Sequence, residues 1–458
     1  MRRPSVGVWP AVERNRRKRL FDALEQAFGV GITGCYTPDF EGFDAAVLFA
    51  AAPRPTCPSL KYEMAAPEPG RSAVRLADEP PVDRRLGGRR LREDATPVPL
   101  RASASERVLA AHDLGPVWTA EGRHCRASAT PRELDPEETL RRRLRVGCFL
   151  GLLPLVHLLR LVTTTQRGDA ELRPRACLIL DDPNLRRPTY GHVNFEQLAN
   201  RAAAGGYHVT FASIPLDYGR VHPRLRELFR THDGQVSLAV HGNNHSRGEL
   251  SRPRDEAQAL ALGAQALRRV AVLEQRTGLQ VARVMCAPHD VCSRVTARAL
   301  FRLGYDGLVK EPLGRMDEAG PNAEGRLAGW EPATTLAGLP VLPRYRFHID
   351  DDELAFNYYL NLPFLLFGHQ SDLAASPEVL DAAADRINRI ARCDWLPLGQ
   401  LSRATAGQRT ACPDPVSPRE VPSPKRSIWP NVRRLLTESR DRLSPLLRSP
   451  VRTDEVAG

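Results

Sequence analysis

Cys177-Leu178-Ile179-Leu180-Asp181-Asp182-Pro183 is an apolar run that stops on two adjacent carboxylates and a proline. A run of this length before a turn-forming proline predicts a buried strand with both acids at its carboxyl end. That is where α/β folds keep their chemistry. Working outward, residues 195–202 read as a helix closed by Gly205-Gly206 and residues 207–214 as a second strand. A helix over 222–230 and a strand over 236–240 follow, with His241 at the strand's end. Residues 255–277 form a long amphipathic pattern, 281–286 a strand, and 294–303 a helix ended by Gly304. Further strands are expected at 307–310, 341–342 and 364–367, the last stopping at Gly368-His369. Repeated β-α units over residues 173–408 predict a distorted (β/α) barrel.

The flanking segments are less informative. Residues 5–9 and 43–51 read as strands around Leu20, Leu24, Ala27 and Phe28 at helical spacing, which predicts a smaller α/β domain over 1–135. No G-x-G-x-x-G or P-loop is present in it. Residues 136–172 then form a linker with an apolar stretch at 146–162. Pro154, His157 and Arg160 interrupt that stretch, which falls short of the roughly 20 clean apolar residues of a span. A buried or interfacial helix is expected, with weak membrane-surface contact as the alternative. Residues 409–458 shift to Pro, Ser and Arg, a composition expected to be disordered and dispensable for activity. Their segment 432–448 has a basic amphipathic look suited to an acidic partner or an anionic membrane.

A net charge of +11 invites a nucleic-acid reading, but the chain has only Lys18, Lys61, Lys310 and Lys425, and its arginines are scattered. Without clustered basic residues and interleaved aromatics, nucleic acid is not an expected partner. The nine cysteines contain no C-x-x-C pair, so reduced thiols are expected rather than a disulfide framework or zinc ribbon. The start Met1-Arg2-Arg3 leads into further charge without an apolar stretch, so a cytoplasmic location is the default.

The polar residues at the expected strand ends form a chemical set. His241 and His245, four apart in His241-Gly242-Asn243-Asn244-His245, can converge on one cation. One carboxylate and two neutral imidazoles leave a divalent metal open positions, from which it lowers the pKa of a water and polarises a carbonyl. A second carboxylate can take the water's proton, and an imidazole opposite can protonate a leaving amine. Because neighbouring strand residues point opposite ways, one aspartate as ligand and one as base is a natural division.

These residues resemble the polysaccharide deacetylase superfamily (NodB-homology, carbohydrate esterase family-four type). Leu180-Asp181-Asp182-Pro183 is similar to its first motif, and the resemblance implies Asp181 as base and Asp182 as metal ligand. His241-Gly242-Asn243-Asn244-His245 is similar to H-[ST]-x-x-H and implies two ligand histidines. Leu366-Phe367-Gly368-His369 resembles the fifth motif and implies His369 as general acid. The third motif, R-x-P-[YF], is matched only through Pro288, with Cys286 at the arginine and His289 at the aromatic. Arg283 or Arg294 is a candidate replacement for that arginine. The fourth motif has no match, although Arg344, Arg346, His348 and Asp350 cluster after a strand. Pro183 and Gly242 also depart from the pattern, which indicates a divergent branch. The resemblance covers residues 173–408. It implies a hydrolase that removes an N-acyl group, acetyl in the simplest case, from an aminosugar-containing substrate. The implied cofactor is a divalent metal, Zn²⁺ foremost with Co²⁺, Ni²⁺ or Mn²⁺ as alternatives. Pro288, His289, Tyr190 and Asn244 are the expected substrate contacts. The competing reading is a catalytically silent carbohydrate-binding protein of the same fold.

Overall fold

The computed structural model describes residues 3–63, 68–135, 138, 140–163, 173–311, 335–406, 412–424 and 429–447. The chain divides into two compact units. The first holds Met1–Leu172 and Asp350–Asn361, and the second holds Arg173–Glu318, Pro332–Ile349 and Leu362–Gly458.

The first unit is built on a nine-stranded sheet. Gly31–Gly34, Ser5–Trp9, Ala45–Leu48, Ser59–Tyr62 and His124–Ala127 pair in parallel, and four antiparallel strands extend the sheet beyond them. The apolar stretch at 146–162 belongs to this unit. Its helix Leu153–Thr163 buries Leu153 through Leu159 and packs on Ala45–Leu48 and Ser59–Tyr62. Its apolar side chains from Leu153 to Leu159 are therefore core, while Leu161 is exposed. His157 lies edge-on to Trp118 at 5.3 Å, and burial pushes its pKa down to about 4. No described helix is long and apolar enough to cross a membrane.

The second unit contains the seven predicted strands and one that was not predicted, Tyr345–Arg346, numbered along the barrel. They are β1 Arg175–Asp181, β2 Val209–Ser213, β3 Val236–His241, β4 Val281–Cys286, β5 Gly307–Lys310, β6 Leu339–Pro343, β7 Tyr345–Arg346 and β8 Phe364–Gly368. All pair in parallel, in the order β6-β5-β4-β3-β2-β1-β8-β7. β6 and β7 sit at opposite ends of this path, yet only Arg344 separates them in sequence. The sheet must therefore curl until its edges almost meet, giving a nearly closed (β/α) barrel with helices around it. Asn194 and Asp255 cap helices Phe195–Gly205 and Glu256–Thr277, each side chain accepting from a backbone amide in the first turn.

Strand alternation decides what faces inward. Cys177, Ile179, Ala212, Ala239, Val284, Cys286, Val309, Leu342, Leu365 and Phe367 form one buried cluster, joined by Leu398 and Leu401 of helix Leu398–Ala406. Two residues further along their strands come Asp181, His241, Arg344 and His369. The period of two that fills the barrel with apolar side chains thus carries these four to its carboxyl-end mouth.

One expectation is overturned. Trp429–Leu447, placed above in a disordered tail, is a helix, labelled α1 here, of which Arg434, Glu438 and Asp441 are buried. Its composition is too polar for an ordinary apolar interface, but polar partners take that place. Arg434 Nε donates to Asp217 Oδ2 (2.7 Å), Arg186 pairs with Glu438 (2.9 Å), and Tyr190 Oη donates to Asp441 Oδ2 (2.7 Å). Residues 409–411, 425–428 and 448–458 lie outside the described residues.

Candidate active site

Asp182, immediately after β1, takes φ 80°, and His245, His289 and Asp290 also have positive φ. Four non-glycine residues in a sparsely populated backbone region at one barrel mouth mark a site whose surroundings hold it against local preference. The turn at Asp182 brings its Oδ1 to 3.6 Å from His241 Nε2 and 3.3 Å from His245 Nε2. Donor atoms on a tetrahedral cation at about 2.0–2.2 Å lie roughly 3.4 Å apart, so the set has the span such an ion requires. Asp182 Oδ1 and His241 Nε2 are also buried without a hydrogen-bond partner among the described residues. Two orphaned lone-pair atoms facing each other are costly unless something positive binds between them. Asp182, His241 and His245 are the described group whose donor atoms are close enough to hold a metal.

The surroundings prepare these ligands. His241 Nδ1 lies 3.0 Å from the Cys286 carbonyl, so it carries the proton and leaves Nε2 as a bare lone pair. Burial, reinforced by His245, holds the His241 pKa well below the usual histidine value, so the ring is neutral. Burial opposes the charge on Asp182, but the histidines around it, His245 foremost, outweigh this and keep the pKa below the ordinary carboxylate value. The loop carrying both histidines is wound on Glu249. Its carboxylate accepts from the backbone amides of Asn243 (2.6 Å), Asn244 (3.0 Å) and His245 (3.1 Å). This explains Gly242, where a Ser or Thr was expected. It has φ 64°, and a Cβ there would fall 2.0 Å from Glu249 Oε1 and 2.6 Å from Pro288 Cγ.

Asp181 has a different environment. Arg344 Nη1 lies 3.0 Å from its Oδ1 and 2.8 Å from its Oδ2, and Arg344 also pairs with Asp290 at 2.9 Å. Arg344 is buried under the Phe367 ring, 3.8 Å from its centroid. Burial works against its charge, but Asp181 and Asp290 more than offset this and raise its pKa. The arginine missing at Cys286 is thus replaced in space from the one-residue link between β6 and β7. Neither candidate named from sequence fills this place; Arg283, for one, pairs with Glu274 at 2.6 Å. Cys286 is buried in the barrel interior, where desolvation raises its thiol pKa.

His369 follows β8. Arg346 Nη1, a donor, lies 3.1 Å from its Nδ1, so the ring proton of the neutral form resides on Nε2. Asp372 accepts from the His369 backbone amide at 2.6 Å. A cavity of about 490 Å³ opens at this mouth, lined by Asp182, His245, His289, His369 and Asn244 together with Arg433, Arg434 and Arg440 of α1. His289 stands with its ring 5.0 Å from that of His245. Asn244 reaches the cavity with its Oδ1 held by Arg269 at 2.8 Å. Two expected substrate contacts lie elsewhere. Tyr190 is fully buried with its hydroxyl on Asp441, and Pro288 is buried beneath Gly242. Both serve packing, because a neighbouring element occupies the space that substrate was expected to fill. Tyr190 and Gly191 instead lie against α1, where a Cβ on Gly191 would fall 3.1 Å from the Asp441 carbonyl, while the His192 amide donates to Gln370 at 3.1 Å.

Sequence reasoning missed Asp290, Glu249 and the arginines of α1. Arg344 was visible only as one of several polar residues after a strand. Its spacing of two from Leu342 was the signal available for it.

Fold and site together define a class: a parallel (β/α) barrel with a carboxylate and two imidazoles converging beside a second, arginine-held carboxylate. No protein-family model and no curated protein matches the chain. The matching solved structures include seven named as deacetylases or family-four carbohydrate esterases. A family 4 carbohydrate esterase from Streptomyces lividans is 15% identical, with 47% of this chain and 87% of that chain covered and a TM-score of 0.28. A family 4 acetyl xylan esterase from Clostridium thermocellum is 12% identical over 54% and 97%, with a TM-score of 0.29. The YdjI aldolase from Escherichia coli matches too, at 9% identity over 52% and 92% with a TM-score of 0.26. At such scores an aldolase stands beside esterases, so the chemistry has to be read from the side chains.

Proposed function

We propose that this protein is a metal-dependent hydrolase that removes an N-acyl group, acetyl in the simplest case, from an aminosugar-containing substrate. The observation that carries the reading is the orphaned pair, Asp182 Oδ1 and His241 Nε2, with His245 completing the set. A divalent cation held by these three residues would supply Lewis-acid polarisation of the acyl carbonyl and a lowered pKa for water. Zn²⁺ suits the donor set, as do Co²⁺ and Ni²⁺, with Mn²⁺ less favoured by two imidazoles.

The chain's own residues supply the rest. Asp181 is the base: it takes a proton from the attacking water, and Arg344 fixes the direction of its carboxylate. His369 is the acid: in its imidazolium form, protonated on both ring nitrogens, it gives one proton to the departing amine nitrogen and is left as the neutral ring. His289 and Asn244 line the cavity where the substrate would lie. The pairing of Arg344 with Asp181 also weighs against a catalytically silent carbohydrate-binding protein, because it gives Asp181 a buried arginine although the third motif lacks one.

The test is incubation of the purified chain, loaded with Zn²⁺ or Co²⁺, with a panel of N-acetylated sugars, sugar nucleotides and lipid-linked aminosugars. Acetate release lost on Asp181→Asn and His369→Ala is expected. No acetate from any member of the panel, with metal bound, would overturn the assignment.

A further inference from the structure

α1 is packed inside out. Its buried positions, Arg434, Glu438 and Asp441, are charged, whereas Trp429 is 74% exposed, Leu436 68% and Leu435 55%, with Val432 and Leu443 also exposed. At 100° per residue these five apolar side chains fall in one stripe opposite the buried charges. An amphipathic helix with only its own barrel to satisfy would bury the apolar stripe and solvate the charges. Here the polar face is fixed to Asp217, Arg186, Tyr190 and the Asp182 carbonyl, and the apolar face is left outward.

The charges point to what covers it. Arg433 and Arg440 fall between the apolar stripe and the cavity, and both line the cavity. Arg440 has a side-chain exposure of 79%. Among the described residues of α1, Glu438 and Asp441 are engaged on the buried face and Arg434 and Arg442 are held by Asp217 and Glu438, which leaves Arg433 and Arg440 as the cations beside the apolar stripe. An apolar stripe containing a tryptophan, flanked by arginines, is the pattern of a helix lying in the headgroup region of an anionic bilayer. A soluble apolar partner would not require Arg433 and Arg440 along the stripe's border, where Arg440 stays exposed although one of its nitrogens lies 3.5 Å from Asp441 Oδ1.

We propose that α1 seats the mouth of the barrel on an anionic membrane surface, with Trp429, Val432, Leu435, Leu436 and Leu443 entering the interface and Arg433 and Arg440 meeting lipid phosphates. The cavity then opens beside the headgroups, so a substrate carried on a lipid phosphate would reach it without leaving the membrane. The docking itself is independent of the acyl-hydrolase reading; only this substrate class rests on it.

The test is co-sedimentation of the full chain with phosphatidylcholine vesicles with and without phosphatidylglycerol, at low and high salt. Binding to the anionic vesicles is expected, weakened by salt and reduced about tenfold or more in Leu435→Asp/Leu436→Asp. Arg433→Gln and Arg440→Gln should each weaken it roughly fivefold. Both leucines are solvent-facing, so the double variant should keep the wild-type melting temperature and its acetate release from a soluble substrate. Should it nevertheless misfold, Trp429→Ser provides the same comparison. Absence of wild-type binding to anionic vesicles overturns the proposal. So does a wild-type dimer that the leucine variant converts to monomer without any vesicle binding, which would assign the stripe to a second copy. Because vesicle binding needs no turnover, its failure is distinguishable from failure of the hydrolase reading.

Discussion

Replacing Arg344 with methionine is the perturbation whose outcome the structure specifies most fully. The side chain is buried, close in volume to its replacement, and serves two carboxylates at 2.8 and 2.9 Å. Removing it leaves Asp181 and Asp290 without their shared cation inside the barrel. Breaking a buried ion pair by deleting one partner costs about 3–5 kcal/mol, because the remaining charge stays desolvated. For a unit of this size each kcal/mol moves the melting temperature by about 2–4 °C, so a drop of roughly 6–20 °C is expected. Turnover should collapse with it, since Asp181 loses the group that orients it. Arg344→Lys, which retains a charge but not the two-sided fork, should recover part of the stability and little of the turnover. Adding Asp181→Asn should cost less in the Arg344→Met background than in wild type, a coupling of about 0.5–3 kcal/mol. Differential scanning calorimetry on wild type and the four variants, with acetate release on the same samples, reads both effects. An Arg344→Met protein that melts and turns over like wild type would refute the claim that this arginine holds the base.

Other consequences are equally concrete. Gly242→Ser restores the residue type of the resembled motif, yet it should be harmful, costing about 2–6 kcal/mol from positive φ and the clash with Glu249, measured by urea unfolding. Glu249→Gln should weaken Zn²⁺ binding about 10–100-fold by loosening the loop that presents His241 and His245, as read by competition with a chelator. His208, buried with its Nε2 on Ser237, has its pKa pushed down to about 4. The unfolded chain takes up this proton first as pH falls, so the associated stability is full above about 6.5 and is lost toward pH 4. It amounts to about 3 kcal/mol, and His208→Gln should flatten that part of the stability profile. Deleting residues 410–458 should sharply reduce turnover in steady-state assays, contrary to what the composition of that segment suggests, because Arg434 Nη2 donates to the Asp182 carbonyl at 2.9 Å.

The barrel was legible because its strands are buried on both faces, and a continuous apolar run ended by a turn is an unambiguous local signal. The runs at 177–182 and 236–240 needed no tertiary information. The His241/His245 pair was legible for the same reason, since local spacing brings it together. Arg344 was not, because its partner Asp181 is 163 residues away and meets it only when the sheet curls. α1 was misread for a complementary reason. Its stabilising contacts are ion pairs and hydrogen bonds to residues more than 200 positions earlier, and a polar, proline-flanked segment carries no sign of them. Tyr190, expected as a substrate contact, lies where the carboxyl-terminal helix reaches the barrel mouth. Once Asp441 occupies that place, the tyrosine becomes its anchor.

The central claim is that Asp182, His241 and His245 hold one divalent cation. Equilibrium dialysis against Zn²⁺, with Co²⁺ replacement followed by visible absorption, tests it most directly. The account predicts one equivalent per chain, a cobalt spectrum of nitrogen and oxygen ligation, and at least a tenfold loss of affinity in both Asp182→Ala and His241→Ala. No bound metal, or binding that both substitutions leave unchanged, would contradict it.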